Sequence, residues 1–161
     1  MEATLCFVID GDRVLLIEKR RGLGEGLLNA PGGKVEAGER PQEAAVRETR
    51  EEVGIEVLAP NHAGHLTFTL NGTVHTECHV FRTRSYEGTP RPTPEADPVW
   101  VDVESVPYDR MWDDDRYWLP PVLEGETVRG TFHFEGSDGV ALDEATFVDH
   151  ELTVGVDPDS T

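Results

Sequence analysis

The stretch Gly33 to Ile55, GKVEAGERPQEAAVRETREEVGI, decides how this chain is read. Within it Gly33, Glu39, Arg47, Glu48, Glu51, Glu52 and Gly54 fall at the spacing G-x5-E-x7-R-E-x2-E-E-x-G. With Gly usage of about 7% and comparable odds for the acidic and Arg positions, these identities coincide on the order of once in 10^7 starts, so accident is excluded. Pro41 suits a first helical position and Gly54 a residue just past a helix end, which predicts one helix from Pro41 to Val53. At about 100° per residue, with Val46 at zero, Thr49 and Val53 lie within about 60° of it, while Glu48, Glu51 and Glu52 lie at about 200°, 140° and 240°. This reading places a core face on one side of the helix and a carboxylate cluster on the other.

Like charges three and four residues apart destabilise a helix by roughly 0.2–0.5 kcal/mol per pair, so the cluster calls for a cation. Hard carboxylate oxygens suit Mg²⁺ or Mn²⁺, and Mg²⁺ is commonly held by a few carboxylates and completed by substrate phosphates. The plainer alternative is a solvated acidic face in an acidic chain. Gly32, Gly33, Glu39 and Arg47 in register with the glutamates favour the metal.

Upstream, Ala3 to Ile9 and Arg13 to Lys19 are apolar, β-prone runs separated by Asp10-Gly11-Asp12, which predicts a hairpin. Arg20 to Pro31 is glycine-rich and reads as a loop delivering Asn29 and the Gly32-Gly33 pair, where bare backbone can approach a metal or phosphate. Downstream, Ile55 to Leu58, His65 to Leu70 and Thr73 to Arg82 read as strands, the last two joined by Asn71-Gly72, a strong hairpin signal. The proline-rich segment Glu87 to Pro98 reads as a loop rather than a strand, followed by a short strand from Val99 to Val103. Tyr117 to Leu123 is expected as a short helix despite Pro120 and Pro121, and Thr127 to Phe134 and Thr146 to Val154 as strands. Residues 1–154 are expected to form a single domain, with 155–161 a frayed tail.

A net charge of −18 rests on a chain with 37% hydrophobic residues, enough for a core. Of the 14 basic residues only Lys19 and Lys34 are lysines, a balance that looks adapted to a high-salt cytoplasm. Such a surface repels nucleic-acid polymers and anionic membranes, so neither is an expected partner and a nucleotide must be held locally. No apolar run approaches the length of a membrane span and no secretory leader is visible, so the location is read as cytoplasmic. Cys6 and Cys78 lack metal-site spacing and read as buried free thiols.

The box at Gly33 to Ile55 resembles that of the Nudix hydrolases, which cleave a nucleoside diphosphate linked to another group. That resemblance implies an α/β fold, an α/β/α sandwich around a mixed sheet. The segments GDRVLLIEKRRGLGEGLLNAPGGKVEAGE, HVFRTRSYEGTP, MWDDDRYWLP and VRGTFHFEG are further similar to the mammalian-type MutT homologues within the family, the 8-oxo-dGTP diphosphatases. The resemblance runs from about Thr4 to Leu152 and implies metal-dependent conversion of an oxidised purine nucleoside triphosphate to the monophosphate and pyrophosphate.

Residue by residue, it implies metal binding by Gly32, Glu48, Glu51, Glu52 and Glu95, catalysis by Glu52 and Glu48, and Mg²⁺ or alternatively Mn²⁺ as cofactor. It implies a nucleotide pocket formed by Thr4, Lys19, Asn29, Pro31, Gly33, Lys34, Phe68, Trp112, Asp113, Asp114 and Asp115, in a protein expected to be a monomer. Arg47 is expected to pin the glutamates and Glu39 to stabilise the loop. Thr49 stands where the box usually has an aliphatic residue, Leu28 and Leu70 where the similar proteins carry aromatics, and Ala30-Pro31 in place of Gly-Phe.

Overall fold

The structure is a computed structural model that describes residues 1–22 and 24–159. In chain order it comprises β1 (Glu2–Asp10), β2 (Arg13–Lys19), β3 (Leu28–Asn29), β4 (Gly32–Lys34), α1 (Pro41–Val53), β5 (Glu56–Val57), β6 (Asn61–Leu70) and β7 (Thr73–Thr83). After these come β8 (Tyr86–Glu87), β9 (Ala96–Asp102), α2 (Asp115–Leu123), β10 (Val128–Glu135) and β11 (Thr146–Val154).

The sheet runs β11-β10-β6-β7-β1-β2-β3, with β4 also on β1 and β9 also on β2. It is mixed, because β1 lies parallel to β7 and β10 parallel to β6 while the hairpins are antiparallel. Alternate residues of β1 and β2 enter two cores. Phe7, Ile9, Val14 and Leu16 pack with Trp118, Leu119 and Val122 of α2. Cys6, Val8, Leu15 and Ile17 pack with Ala45 and Val53 of α1. Burial on both faces is why these strands read as unbroken apolar runs rather than alternating ones. The result is the expected α/β/α sandwich.

The β6–β7 hairpin turns on Asn71 and Gly72 at φ of 51° and 82°, the left-handed pair that matches strand twist. On the edge away from β7, β1 divides its length between two partners. Its far end meets β2, while Ala3, Thr4 and Leu5 pair with Lys34, Gly33 and Gly32 of β4. The Gly32-Gly33 pair is thereby sewn to the sheet next to α1.

Several local expectations change. The supposed loop from Arg20 to Pro31 contains β3, since Asn29 pairs with Ile17. The proline-rich segment becomes strand at Ala96, so Pro98 lies inside β9 opposite Ile17. β9 pairs with β2 alone, and a proline is tolerated on an edge where no outward N–H is needed. The expected frayed tail is docked over Gly155–Asp159. The Gly155 amide donates to the Thr127 carbonyl at 2.7 Å, Arg129 donates to the Pro158 carbonyl at 2.9 Å, and Pro158 is buried. Residues 160 and 161 of that tail lie outside the described residues.

Candidate functional site

The helix α1 starts where the Glu43 carboxylate accepts the Arg40 amide at 2.8 Å, and it ends at Gly54, whose φ of +77° lets its amide reach the Arg50 carbonyl. Its buried arc is centred on Ala45, Thr49 and Val53 rather than on Val46. This rotates the carboxylates relative to expectation. Glu52 flanks the core face and is 4% exposed, Glu48 is half-buried, and Glu51 faces solvent. Thr49, the odd residue of the box, fits the core because its hydroxyl donates to the Ala45 carbonyl at 2.7 Å.

Arg47 is the hub. It donates to both oxygens of Glu39 at 2.8 and 3.0 Å, to Glu48 at 2.8 Å, to Glu51 at 3.3 Å and to the Lys34 carbonyl at 3.0 Å. The guanidinium, with help from the Glu36 amide, holds the Glu39 carboxyl down to about 2. Glu52 Oε1 accepts the Gly32 amide at 2.8 Å. Burial pushes the Glu52 carboxyl up to about 8, against the pull of that amide and of Lys19, with the charges of Glu48 and Glu95 adding to the rise. Burial also raises Glu48, against the pull of Arg47.

Gly32 is required by space rather than by dihedral, because backbone faces it, whereas a side chain at Gly33 would displace the Glu48 carboxylate. A Cβ on Gly32 would stand 2.0 Å from the Thr4 carbonyl oxygen, and one on Gly33 would stand 2.6 Å from the Glu48 carboxyl carbon.

Beside this helix a cleft of about 240 Å³ opens between β1, β4, β7 and the start of α2. Of the nucleotide residues expected from sequence, Thr4, Lys19, Asn29, Gly33, Lys34, Phe68, Trp112, Asp114 and Asp115 line it. Two do not. Pro31 is buried with its carbonyl bound to the Cys6 amide at 2.8 Å, and Asp113 points to solvent one position ahead of the buried pair. The cleft also uses residues that the sequence reading passed over, among them Met1, Leu5, Thr76, Cys78, Trp118 and Leu142. Thr76 and Cys78 sit two apart on β7, so they share a face; that period was the available signal.

Asp114 and Asp115 are buried at the cleft wall, 1% and 3% exposed. Asp114 Oδ2 accepts the Trp118 indole N–H at 2.7 Å, while Asp114 Oδ1 and Asp115 Oδ2 have no partner. Burial pushes Asp114 up to about 6, and burial together with the Asp114 charge raises Asp115 well above the usual carboxyl range. Both carboxyls are thus pushed toward holding a proton, and a pair that shares one proton offers one donor and one acceptor.

Among the described residues no three His, Cys, Asp or Glu groups converge into a ready-made metal site. Arg47 stands between Glu48 and Glu51, Gly32 holds Glu52, and Arg21 pairs with Glu95. Glu95 is half-exposed, and the Arg21 guanidinium lowers its carboxyl. Arg47 is the clamp expected from the sequence, whereas the Arg21–Glu95 pair has no signal in it. The donor chemistry still fits a hard divalent cation. The groups are oxygen donors, and a buried glutamate pushed up to about 8 next to other carboxylates is a position that a cation would relieve.

The NUDIX domain matches residues 1–122, and the chain belongs to the Nudix family. Within it, the chain is similar to the oxidized purine nucleoside triphosphate hydrolase of Danio rerio, 39% identical over 150 residues and covering 92% of either chain. It is also similar to the protein of the same name from Mus musculus, 36% identical over 138 residues and covering 85% of this chain and 88% of that one. The solved MutT protein of Bacillus halodurans superposes with a TM-score of 0.78 at 29% identity, covering 94% of this chain and 96% of that one.

Proposed function

We propose that this chain hydrolyses oxidised purine nucleoside triphosphates such as 8-oxo-dGTP to the monophosphate and pyrophosphate, clearing them from the nucleotide pool. The observation that carries the reading is the buried Asp114–Asp115 pair, with an unpartnered oxygen on each carboxyl, in an apolar cleft next to the glutamate helix. A proton-sharing pair can meet purine edges whose donor and acceptor order differs, as 8-oxoguanine differs from guanine. Trp112 supplies the stacking wall and Asn29 a further polar contact. The names borne by the Danio rerio and Mus musculus relatives support the same substrate class.

In this reading the triphosphate lies from Lys19 and the Gly32–Lys34 strand toward the carboxylates of Glu48, Glu51 and Glu52, with Glu95 at the margin. These residues would hold Mg²⁺, or Mn²⁺ in its place. The chemistry a divalent cation supplies when bound is neutralisation of phosphate charge and easier ionisation of the attacking water. Glu52, buried and oriented by the Gly32 amide, is the group we assign to orienting that water and taking its proton, with Glu48 beside it. Arg47 fixes Glu48 and Glu51 without entering the cleft. We read the protein as a cytoplasmic monomer.

The test is a turnover panel in Mg²⁺ at high salt with 8-oxo-dGTP, 2-hydroxy-dATP, ADP-ribose and a diadenosine polyphosphate. Preference for the oxidised triphosphates is expected. Faster cleavage of ADP-ribose or the dinucleotide would move the substrate class, and nucleotide binding without metal-dependent turnover would make the chain a sensor.

A further inference from the structure

The connection between β10 and β11 passes through a short 3-10 turn, Leu142–Glu144, that returns to the cleft. Leu142 is buried there and forms part of the cleft wall. The next residue, Asp143, reaches across 119 positions of sequence, and its Oδ2 accepts the Gly24 amide at 3.0 Å. Among the described residues Asp143 forms no ion pair.

Gly24 belongs to the segment joining β2 to β3. The Leu27 amide donates to the Gly24 carbonyl at 3.0 Å, and the Gly26 amide donates to the Lys19 carbonyl at 3.0 Å, so Gly24–Leu27 folds back on the end of β2. Lys19 and Asn29, at its two ends, both line the cleft. Gly24 itself lies against the indole of Trp112. A Cβ at Gly24, where φ is +81°, would stand 3.1 Å from Trp112 Nε1 and 3.4 Å from Cζ2. Phe134 meets the same indole edge-on, with ring centroids 6.5 Å apart.

We propose that Asp143 is a positioning residue for the nucleotide cleft: by accepting the Gly24 amide it holds the Gly24–Leu27 turn against the edge of Trp112 and sets the indole on which an oxidised purine stacks. The inference rests on the oxidised-purine reading of the cleft. Its sign separates it from electrostatics. Asp143 adds negative charge near a site for a polyanion, so deleting that charge would by itself tighten nucleotide binding. Loss of the tether weakens it, because an indole free to tilt must be ordered by the substrate.

The variants Asp143→Ala, Asp143→Asn and Glu144→Ala test this in the full chain with 8-oxo-dGTP and Mg²⁺. Asp143 is exposed, so the fold should survive. Asp143→Ala should raise KM roughly fivefold, the loss expected for one hydrogen bond, with kcat held within about twofold. Asp143→Asn, which keeps an acceptor oxygen, should restore most of that loss. Glu144→Ala, which removes an equal charge but no tether, should leave KM level or lower. Without nucleotide, tryptophan emission of Asp143→Ala should differ from wild type, and the difference should vanish in a Trp112→Phe background. An unchanged or lowered KM in Asp143→Ala, or an emission difference that persists without Trp112, would overturn the positioning role. Absence of wild-type turnover of 8-oxo-dGTP would overturn the functional reading instead, and the kinetic half of this inference with it.

Discussion

Glu52 and Glu43 stand on one helix in opposite settings, and the contrast makes a direct test at the scale of single residues. Glu52 is buried against the Gly32 amide, whereas Glu43 is exposed and caps the helix through the Arg40 amide. Glu52→Gln should lower kcat by about 10²–10⁴, the range for a lost general base, and Glu48→Gln somewhat less, with circular dichroism unchanged. Glu43→Gln is the control, and equal losses at Glu43 and Glu52 would remove the assignment. Asp114→Asn and Asp115→Asn should each alter discrimination between 8-oxo-dGTP and dGTP, while Trp112→Ala should chiefly raise KM; three variants with wild-type preference would show that the wall does not read the base. The same pair predicts a pH effect on stability. Asp114 is raised in the fold to about 6, above an unfolded value of about 4, so its contribution is complete below pH 4 and is lost as pH rises through 6. Urea unfolding of wild type measured against Asp114→Asn should show this relative advantage shrinking as pH rises across that window. A pH-independent difference would contradict burial of an ionisable Asp114. The glutamates were legible in the chain through their helical spacing in register with Gly33, Glu39 and Arg47, and the aspartates after Trp112 through the resemblance to the 8-oxo-dGTP diphosphatases. The partners were not. Arg21 on Glu95, the Trp118 indole on Asp114 and the Gly24 amide on Asp143 join positions 74, 4 and 119 residues apart, and only the four-residue one has a local signature.

At the scale of elements, α1 was fixed at both ends by Pro41 and Gly54, and the structure starts and stops it at those positions. Its rotation was not, since a wheel anchored on Val46 put Glu52 opposite the core while packing against β1 centres the buried arc near Thr49. Ala44 and Ala45 carried the missing information, being small enough for close approach but weak as hydrophobic markers. Thr49→Val should therefore raise stability by about 1 kcal/mol by withdrawing a hydroxyl from the core, read as a higher urea midpoint. A lower midpoint would mean that the Thr49–Ala45 bond matters more than its burial costs. β4 gives the opposite case. Gly32→Ala places a methyl 2.0 Å from the Thr4 carbonyl, so the β1–β4 pairing must part, at a cost of about 1–3 kcal/mol and with loss of the amide that orients Glu52. Retention of both stability and turnover in Gly32→Ala would contradict the close approach. The strand at Pro98 escaped the sequence reading for a related reason, because whether proline is permitted depends on which strand is at an edge, and that is a property of the assembled sheet.

For the whole molecule, a net charge of −18 has consequences that no single contact shows. Self-repulsion acts over about 10 Å at 0.1 M salt and about 3 Å at 1 M, so the melting temperature should rise substantially from low ionic strength to molar KCl, more than in an ordinary domain. A flat response would withdraw the high-salt reading and leave the enzymatic one intact. The sandwich was expected through the resemblance of the box to that of the Nudix hydrolases, while the apolar runs, the bounded helix and the Asn-Gly turn supplied the individual elements. The cleft was legible only in outline, since it is assembled from β1, β4, β7, α2 and the β10–β11 connection, and its shape follows from how they close on one another. If these parts form a hydrolase selective for oxidised purine triphosphates, a competition between an oxidised and an ordinary nucleotide must reveal it. Equimolar 8-oxo-dGTP and dGTP are given to the wild-type protein with Mg²⁺ in molar KCl, and products are followed by phosphorus NMR. We expect 8-oxo-dGTP to disappear first, with 8-oxo-dGMP and pyrophosphate appearing in equal amounts. Equal consumption of both nucleotides, or release of a diphosphate and inorganic phosphate, would contradict it.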